Sequence, residues 1–255
     1  MSSTELNILV PALLAGVLVL ATHVPFGRVV LSRGIIFIDL AIAQIAGLGV
    51  IVAFISGFHA GWQVQAAAAC AALTGAVILF GAARLWPDIQ EAVIGVAFVI
   101  ASSVGLLLIA NNPQGSEHLR DVLAGQILWV EYTDLLPVTA LYVVVLLLGR
   151  LIVAEGSHLP FYLLFAVTIT ASVQLVGVYL VFASLILPSL AVYRLPARRQ
   201  LPAGYTVGLL GYLGGLLIAS VLDLPAGPMI VIILAIFSLV MLTVTHGWPI
   251  QARFR

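Results

Sequence analysis

FYLLFAVTITASVQLVGVYLVFASLILPSLAVY, residues 161–193, is an almost unbroken apolar run. As one α-helix at about 1.5 Å per residue it would reach roughly 50 Å. A bilayer core is only about 30 Å thick. The run is too long for one crossing and short for two. Gly177 stands in its middle and Pro188 near its end. It therefore reads as two shortened helices broken near Gln174–Gly177. Irregular backbone at membrane depth is tolerated only where protein buries it or where it lines a cavity. The region around Gly177 is expected to be interior.

Outward from that stretch the chain repeats the same character. Further apolar runs lie at about 7–25, 35–57, 62–84, 91–110 and 133–154, then 205–222 and 226–245. Over the 255 residues, 63% are hydrophobic and 8% charged, and the mean hydropathy is +1.23. A soluble domain of that size could not hide so much apolar surface. The fold class is all-α: a polytopic bundle of eight or nine transmembrane segments, read as a single domain over 1–255, with lipid as its solvent. Ile8 to His23 lacks a preceding positive charge and reads as a retained first helix rather than a secretory signal.

Arginine placement chooses between the two counts. With nine segments, Arg28, Arg33, Arg84, Arg150, Arg194, Arg198, Arg199, Arg253 and Arg255 fall on one side and only Arg120 on the other. With eight segments the split is four against six. The positive-inside rule prefers the first arrangement. It puts the N-terminus outside, the C-terminus in the cytoplasm and a turn within the membrane near Gly177.

Composition also excludes. The formal net charge is zero, so no basic field awaits nucleic acid. All ten basic residues are arginine. A G-x-x-x-x-G-K phosphate loop needs a lysine, so any ATP that drives this protein binds another chain. No cofactor is expected on the chain itself. The single cysteine, Cys70, sits in an alanine run and forms no internal disulfide. Glycines such as Gly47, Gly49, Gly75, Gly81, Gly208, Gly211, Gly214 and Gly215 suit close helix packing.

Few residues could carry chemistry. Asp39 stands in the run Ile35–Ala43, which is otherwise apolar. A carboxylate there needs water, a cation or a partner. It either lines a cation path or pairs with Arg33 or Arg28 near the cytoplasmic end. Gln44 is five residues on, about 140° around the helix, so the two do not share a face. Gln44 reads as an interhelical hydrogen-bonding group. His23, His59, His118, His158 and His246 all fall near expected helix ends or in loops, with no H-x-x-x-H spacing. No fixed metal site follows, and the identity of any metal stays open. No G-x-S-x-G is present, which leaves an intramembrane hydrolase little support. The loop Arg150–Pro160 would face the cytoplasm. Its Glu155, Gly156, Ser157 and His158 either start a short helix across a partner's surface or simply connect. Glu117 to Trp129 reads as a short amphipathic helix at the outer interface.

Five segments together resemble the membrane subunit of ABC importers for zinc, manganese and iron. They are Arg33-Gly34-Ile35 through Gly49-Val50; Gln90-Glu91-Ala92-Val93-Ile94-Gly95; Asp121 through Leu128; Val176-Gly177-Val178-Tyr179-Leu180-Val181 through Leu187-Pro188-Ser189-Leu190-Ala191; and Asp223-Leu224-Pro225-Ala226-Gly227-Pro228. Their order and spacing match along nearly the whole chain. The resemblance implies a multi-pass permease of the cell membrane, a homodimer in lipid with the path at its centre. It implies a cytoplasmic ATP-binding-cassette ATPase docked on the 150–160 loop, and an extracytoplasmic metal-binding protein that delivers the ion. It makes Asp39 and Gln44 the candidates for the transport path.

One departure stands out. The family's second helix often carries D-A-x-x-H, an acid and a histidine on one face. Counting back from Gly49, the histidine position here is Gln44 and the acid position is Leu40, with Asp39 one residue early. The 150–160 loop is also shorter than is usual for the family. Two rivals stand beside this reading: a permease for a metal chelate of the siderophore or cobalamin type, and an intramembrane hydrolase. A secondary transporter should show buried acids in repeated halves, and only Asp39 is present.

Overall fold

The structure of the chain, a computed structural model, describes residues 3–58, 60–109, 127–152 and 158–245. Among them, all regular structure is helical. The nine α-helices are α1 (Ser3–Arg33), α2 (Ile38–Ile55), α3 (Gly61–Leu85), α4 (Gln90–Ile109), α5 (Tyr132–Ile152), α6 (His158–Val176), α7 (Val178–Ala191), α8 (Ala197–Leu222) and α9 (Ala226–Val244). Single 3-10 turns lie at Pro87–Ile89 and Ile127–Trp129. Eight helices are long and apolar enough to cross a membrane, and α7 is a shorter apolar helix of 14 residues. Trp62, Trp86 and Trp129 are exposed near helix ends, the positions at which tryptophan anchors a span to the lipid interface.

The break in the 161–193 run falls at Gly177, between α6 and α7. Its φ of 84° and ψ of 161° belong to a region essentially confined to glycine. The helix restarts at once, because the Val181 amide donates to the Gly177 carbonyl at 3.1 Å. Val176, Val178 and Leu180 are buried, so the break is interior, as expected.

Two helices run further than the apolar pattern suggests. The first continues through Pro25 to Arg33 instead of stopping near residue 25. Proline removes the amide that would bond the carbonyl four residues back. Here the Tyr205 hydroxyl donates to that carbonyl, Ala21 O, at 3.3 Å. The run read as 205–222 begins at Ala197, so Arg198 and Arg199 form the first turn of α8 rather than a loop.

The chain divides into two compact units. The first comprises Met1–Gly34, Leu123–Ala140 and Leu175–Arg255. In it, α1 packs on α7 and α8, and α9 packs on α7 and α8. Glycines set the closest approaches. A Cβ on Gly208 would meet Leu20, one on Gly211 would meet Leu234, and one on Gly27 would run into the Leu185 carbonyl. Gln200 binds the end of α1 to the turn before α8. Its Oε1 accepts from Arg28 Nε at 2.9 Å, and its Nε2 donates to the carbonyls of Leu195 (2.9 Å) and Tyr193 (3.2 Å). The buried Ser184 and Tyr212 hydroxyls lie 2.8 Å apart between α7 and α8.

The second unit comprises Ile35–Val122 and Leu141–Gln174. Here α2 packs on α3 and α4. A Cβ on Gly49 would stand 2.6 Å from the Ala67 carbonyl oxygen, so α2 and α3 touch backbone to backbone there. Gly47 and Gly81 have nothing within 4 Å; only some of the glycines serve packing inside the chain.

Candidate functional site

Asp39 occupies the first turn of α2, is 1% exposed, and neither carboxylate oxygen has a hydrogen-bond partner among the described residues. Of the two arginines expected as partners, one is held elsewhere. Arg28 is engaged by Gln200. The positive end of α2 favours a carboxylate by about 1–2 kcal/mol at best. A charged carboxylate at the centre of a span costs about 3 kcal/mol on insertion scales, and less toward a helix end such as this one. Buried as it is, the Asp39 carboxylate still calls for a cation, a proton or water beside it.

A second carboxylate serves the same helix end. Phe37, which opens α2, has no side-chain cap of its own. Its backbone amide donates to Glu91 Oε1 at 3.2 Å, while Glu91 Oε2 is buried with no hydrogen-bond partner among the described residues. Glu91 belongs to the first turn of α4, so it caps α2 from a neighbouring helix. In the sequence it was legible only as part of the Gln90–Gly95 segment; nothing in the spacing pointed to α2.

Gln44 is half-buried one turn further along α2. Leu40, the position at which the family's acid would fall, lines an apolar groove of about 570 Å³ with Phe37, Ala92, Gly95, Val96 and Val99. The residues that line this groove offer no polar ligand, so Leu40 brings none of the chemistry that the family's acid would supply there.

His23 differs from the expectation that every histidine is interfacial. It lies well inside α1, is 0% exposed, and its Nδ1 sits 2.9 Å from the Val19 carbonyl. The sequence hid this because the apolar run ends near residue 25, two residues on. His59, His118 and His246 lie outside the described residues, and His158 is the first residue of α6. Among the described residues, no group of three or more His, Cys, Asp or Glu forms a ready metal cage. Glu155, Gly156 and Ser157 of the 150–160 loop lie outside the described residues, as does most of the 117–129 segment. Gly177 opens α7, and Pro188 is buried in that helix.

Sequence and structure comparisons agree with this architecture. The model of the ABC 3 transport family matches residues 5–155 and 152–245. The chain is similar to YfeD, a chelated iron transport system membrane protein of Yersinia pestis. The two are 30% identical over 185 residues, which is 64% of this chain and 62% of that one. It is similar to ZnuB, a high-affinity zinc uptake system membrane protein of Haemophilus influenzae, at 25% identity over 252 residues, 89% of this chain and 93% of that one. It is also similar to MntC, a manganese transport system membrane protein of Halalkalibacterium halodurans, at 26% identity over 250 residues, 87% and 82% of the two chains. Among solved structures, PsaBC from Streptococcus pneumoniae in complex with Fab superimposes with a TM-score of 0.69 at 26% identity, covering 92% of this chain and 89% of that one.

Proposed function

The chain belongs to the ABC 3 transport family, and on that premise we propose that it carries a divalent metal ion, zinc, manganese or iron, into the cytoplasm as the permease subunit of an ATP-driven importer. It is a multi-pass membrane protein and a transport component, not an enzyme. The observation that carries the substrate reading is the agreement of YfeD, ZnuB and MntC, whose names give iron, zinc and manganese respectively.

In this reading the chain forms one permease domain that pairs with a second copy in the plasma membrane. A cytoplasmic ATPase docks on the 150–160 loop, and an extracytoplasmic binding protein delivers the ion. The lack of lysine, and so of a phosphate-binding loop, supports a separate ATPase. ATP binding and hydrolysis would then shift the pair between outward- and inward-open states, and only differential binding to those states can do so. Asp39 and Gln44 are placed on the ion's route. Support for Asp39 is its buried, unpartnered carboxylate; an oxygen ligand suits manganese and iron, and zinc as well.

The test is uptake into proteoliposomes holding the chain, its ATPase and its binding protein. ATP-dependent accumulation of Zn²⁺, Mn²⁺ or Fe²⁺ is expected, with no ATP hydrolysis by the chain alone. Absence of ATP-dependent uptake of all three free ions would overturn the reading. YfeD, named for chelated iron, favours a second reading in which the cargo is a metal chelate. Uptake of an iron chelate without uptake of the free ions would select it.

A further inference from the structure

We propose that Gln90 and Tyr162 are positioning residues of the transport cycle: they pass a movement of the ATPase-docking loop to the start of α2, where Asp39 stands. This rests on the reading of the chain as a permease whose ATPase docks on the 150–160 loop and whose ion passes Asp39. All the side chains of the link belong to the second compact unit. Three observations carry it.

The first is how the helix after the loop is tied down. Tyr162 follows the loop by two residues, near the start of α6, and is 3% exposed. Its hydroxyl accepts a hydrogen bond from Gln90 Nε2 in the first turn of α4. Its ring meets Phe80 of α3 edge-on, with centroids 5.7 Å apart. The Arg84 guanidinium lies over the far end of this group, 5.8 Å from the Phe80 centroid. A displacement of the start of α6 therefore acts on α3 and α4 together, because close-packed side chains shift rather than compress.

The second is what adjoins Gln90. Successive residues of a helix point about 100° apart. Gln90 and Glu91 thus reach different neighbours: Gln90 reaches α6, and Glu91 reaches the Phe37 amide that opens α2. One turn of α4 holds both the helix that follows the docking loop and the helix that carries Asp39.

The third is how α2 begins. Phe37 has no side-chain cap of its own, and neither Asp39 oxygen has a hydrogen-bond partner among the described residues. The Asp39 carboxylate is therefore placed by the backbone of its turn rather than by a bond of its own, and Glu91 holds that backbone. The pull of a carboxylate on a cation falls with distance, and most in absolute terms where the dielectric is low. A small displacement of this turn changes how firmly the ion is held in one state relative to the other. That difference is what an ATP-driven cycle must impose.

The experiment measures ATP hydrolysis and uptake of Zn²⁺, Mn²⁺ and Fe²⁺ side by side, in proteoliposomes holding the full chain, its ATPase and its binding protein. Tyr162→Phe and Gln90→Leu should assemble and hydrolyse ATP near the wild-type rate, yet move about fivefold fewer ions per ATP. The double variant should fall no further than either single one, because both changes cut the same link. Tyr142→Phe removes a hydroxyl contact to Ser172, also between helices of this unit but outside the link, and should leave the ratio unchanged. Four results would each overturn the proposal: an unchanged ratio in both single variants, a double variant whose loss is the product of the two, an equal loss in Tyr142→Phe, or failure of both single variants to assemble. The last would make the contact a purely structural one. In all four the wild-type chain still takes up metal, so the permease reading stands. If the wild-type chain moves none of the three ions, that reading falls and the role of Gln90 and Tyr162 falls with it.

Discussion

The backbone amide of Phe37 donates to Glu91 Oε1 at 3.2 Å, so the helix that carries Asp39 is capped by a side chain from α4, 54 residues away. An N-terminal cap supplied by a residue's own neighbours is the common solution. Here the local residues Ile35, Ile36 and Phe37 offer no side-chain acceptor, and the acceptor comes through the α2–α4 contact instead.

Glu91→Ala should destabilise the protein by about 1 kcal/mol, the usual worth of a helix cap. Glu91→Gln keeps an acceptor oxygen and should lose less. Thermal unfolding in detergent, followed by size-exclusion chromatography, compares the two. Equal stability of Glu91→Ala and the wild-type chain would show that this contact adds nothing.

Asp39→Asn should lower ATP-dependent metal uptake by about tenfold or more while expression and assembly stay normal, because neither carboxylate oxygen is tied to a structural partner. Arg33→Gln should leave uptake largely intact, since an arginine end near the interface can reach water. Normal uptake in both Asp39→Asn and Gln44→Ala would remove α2 from the ion's route.

Gly49→Ala and Gly47→Ala stand two residues apart on one helix and should move in opposite directions. The new methyl at position 49 would lie 2.6 Å from the Ala67 carbonyl oxygen, whereas position 47 has nothing within 4 Å. Overpacking should cost about 1–3 kcal/mol. The open position should gain up to about 1 kcal/mol of helix propensity. Melting temperatures of the purified variants decide it, and a stabilised Gly49→Ala would contradict the close α2–α3 approach.

Gly177→Ala should be more damaging than Gly81→Ala. The first imposes a side chain on a φ of 84°, costing about 1–3 kcal/mol; the second fills open space in α3. A melt of Gly177→Ala that matches the wild-type chain would mean that the α6–α7 junction relaxes without penalty.

A reporter fused after Arg255 should read cytoplasmic, as the nine-to-one arginine split requires. An external reading would restore the eight-segment arrangement.

The residues themselves determined much of this protein. Length, apolar runs and the scarcity of charge require a helical membrane bundle, because in lipid every backbone amide must be satisfied within the segment. The break at Gly177 was equally legible, since a run of that length must turn and only glycine accepts the angle at no steric cost. The absence of lysine placed ATP on another chain. Other features rest on partners distant in sequence. The apolar run ends near residue 25, yet α1 continues to Arg33, and the Ala21 carbonyl freed by Pro25 accepts from the Tyr205 hydroxyl 184 residues away. His23 is a buried histidine inside a span instead of a polar residue at its edge. Asp39 read either as a residue of a cation path or as half of a local ion pair. What the sequence could not show is that its carboxylate is buried with no hydrogen-bond partner among the described residues, and that Glu91 caps its helix. A helix period records which residues share a face; it does not record which distant group arrives to satisfy a buried oxygen or nitrogen.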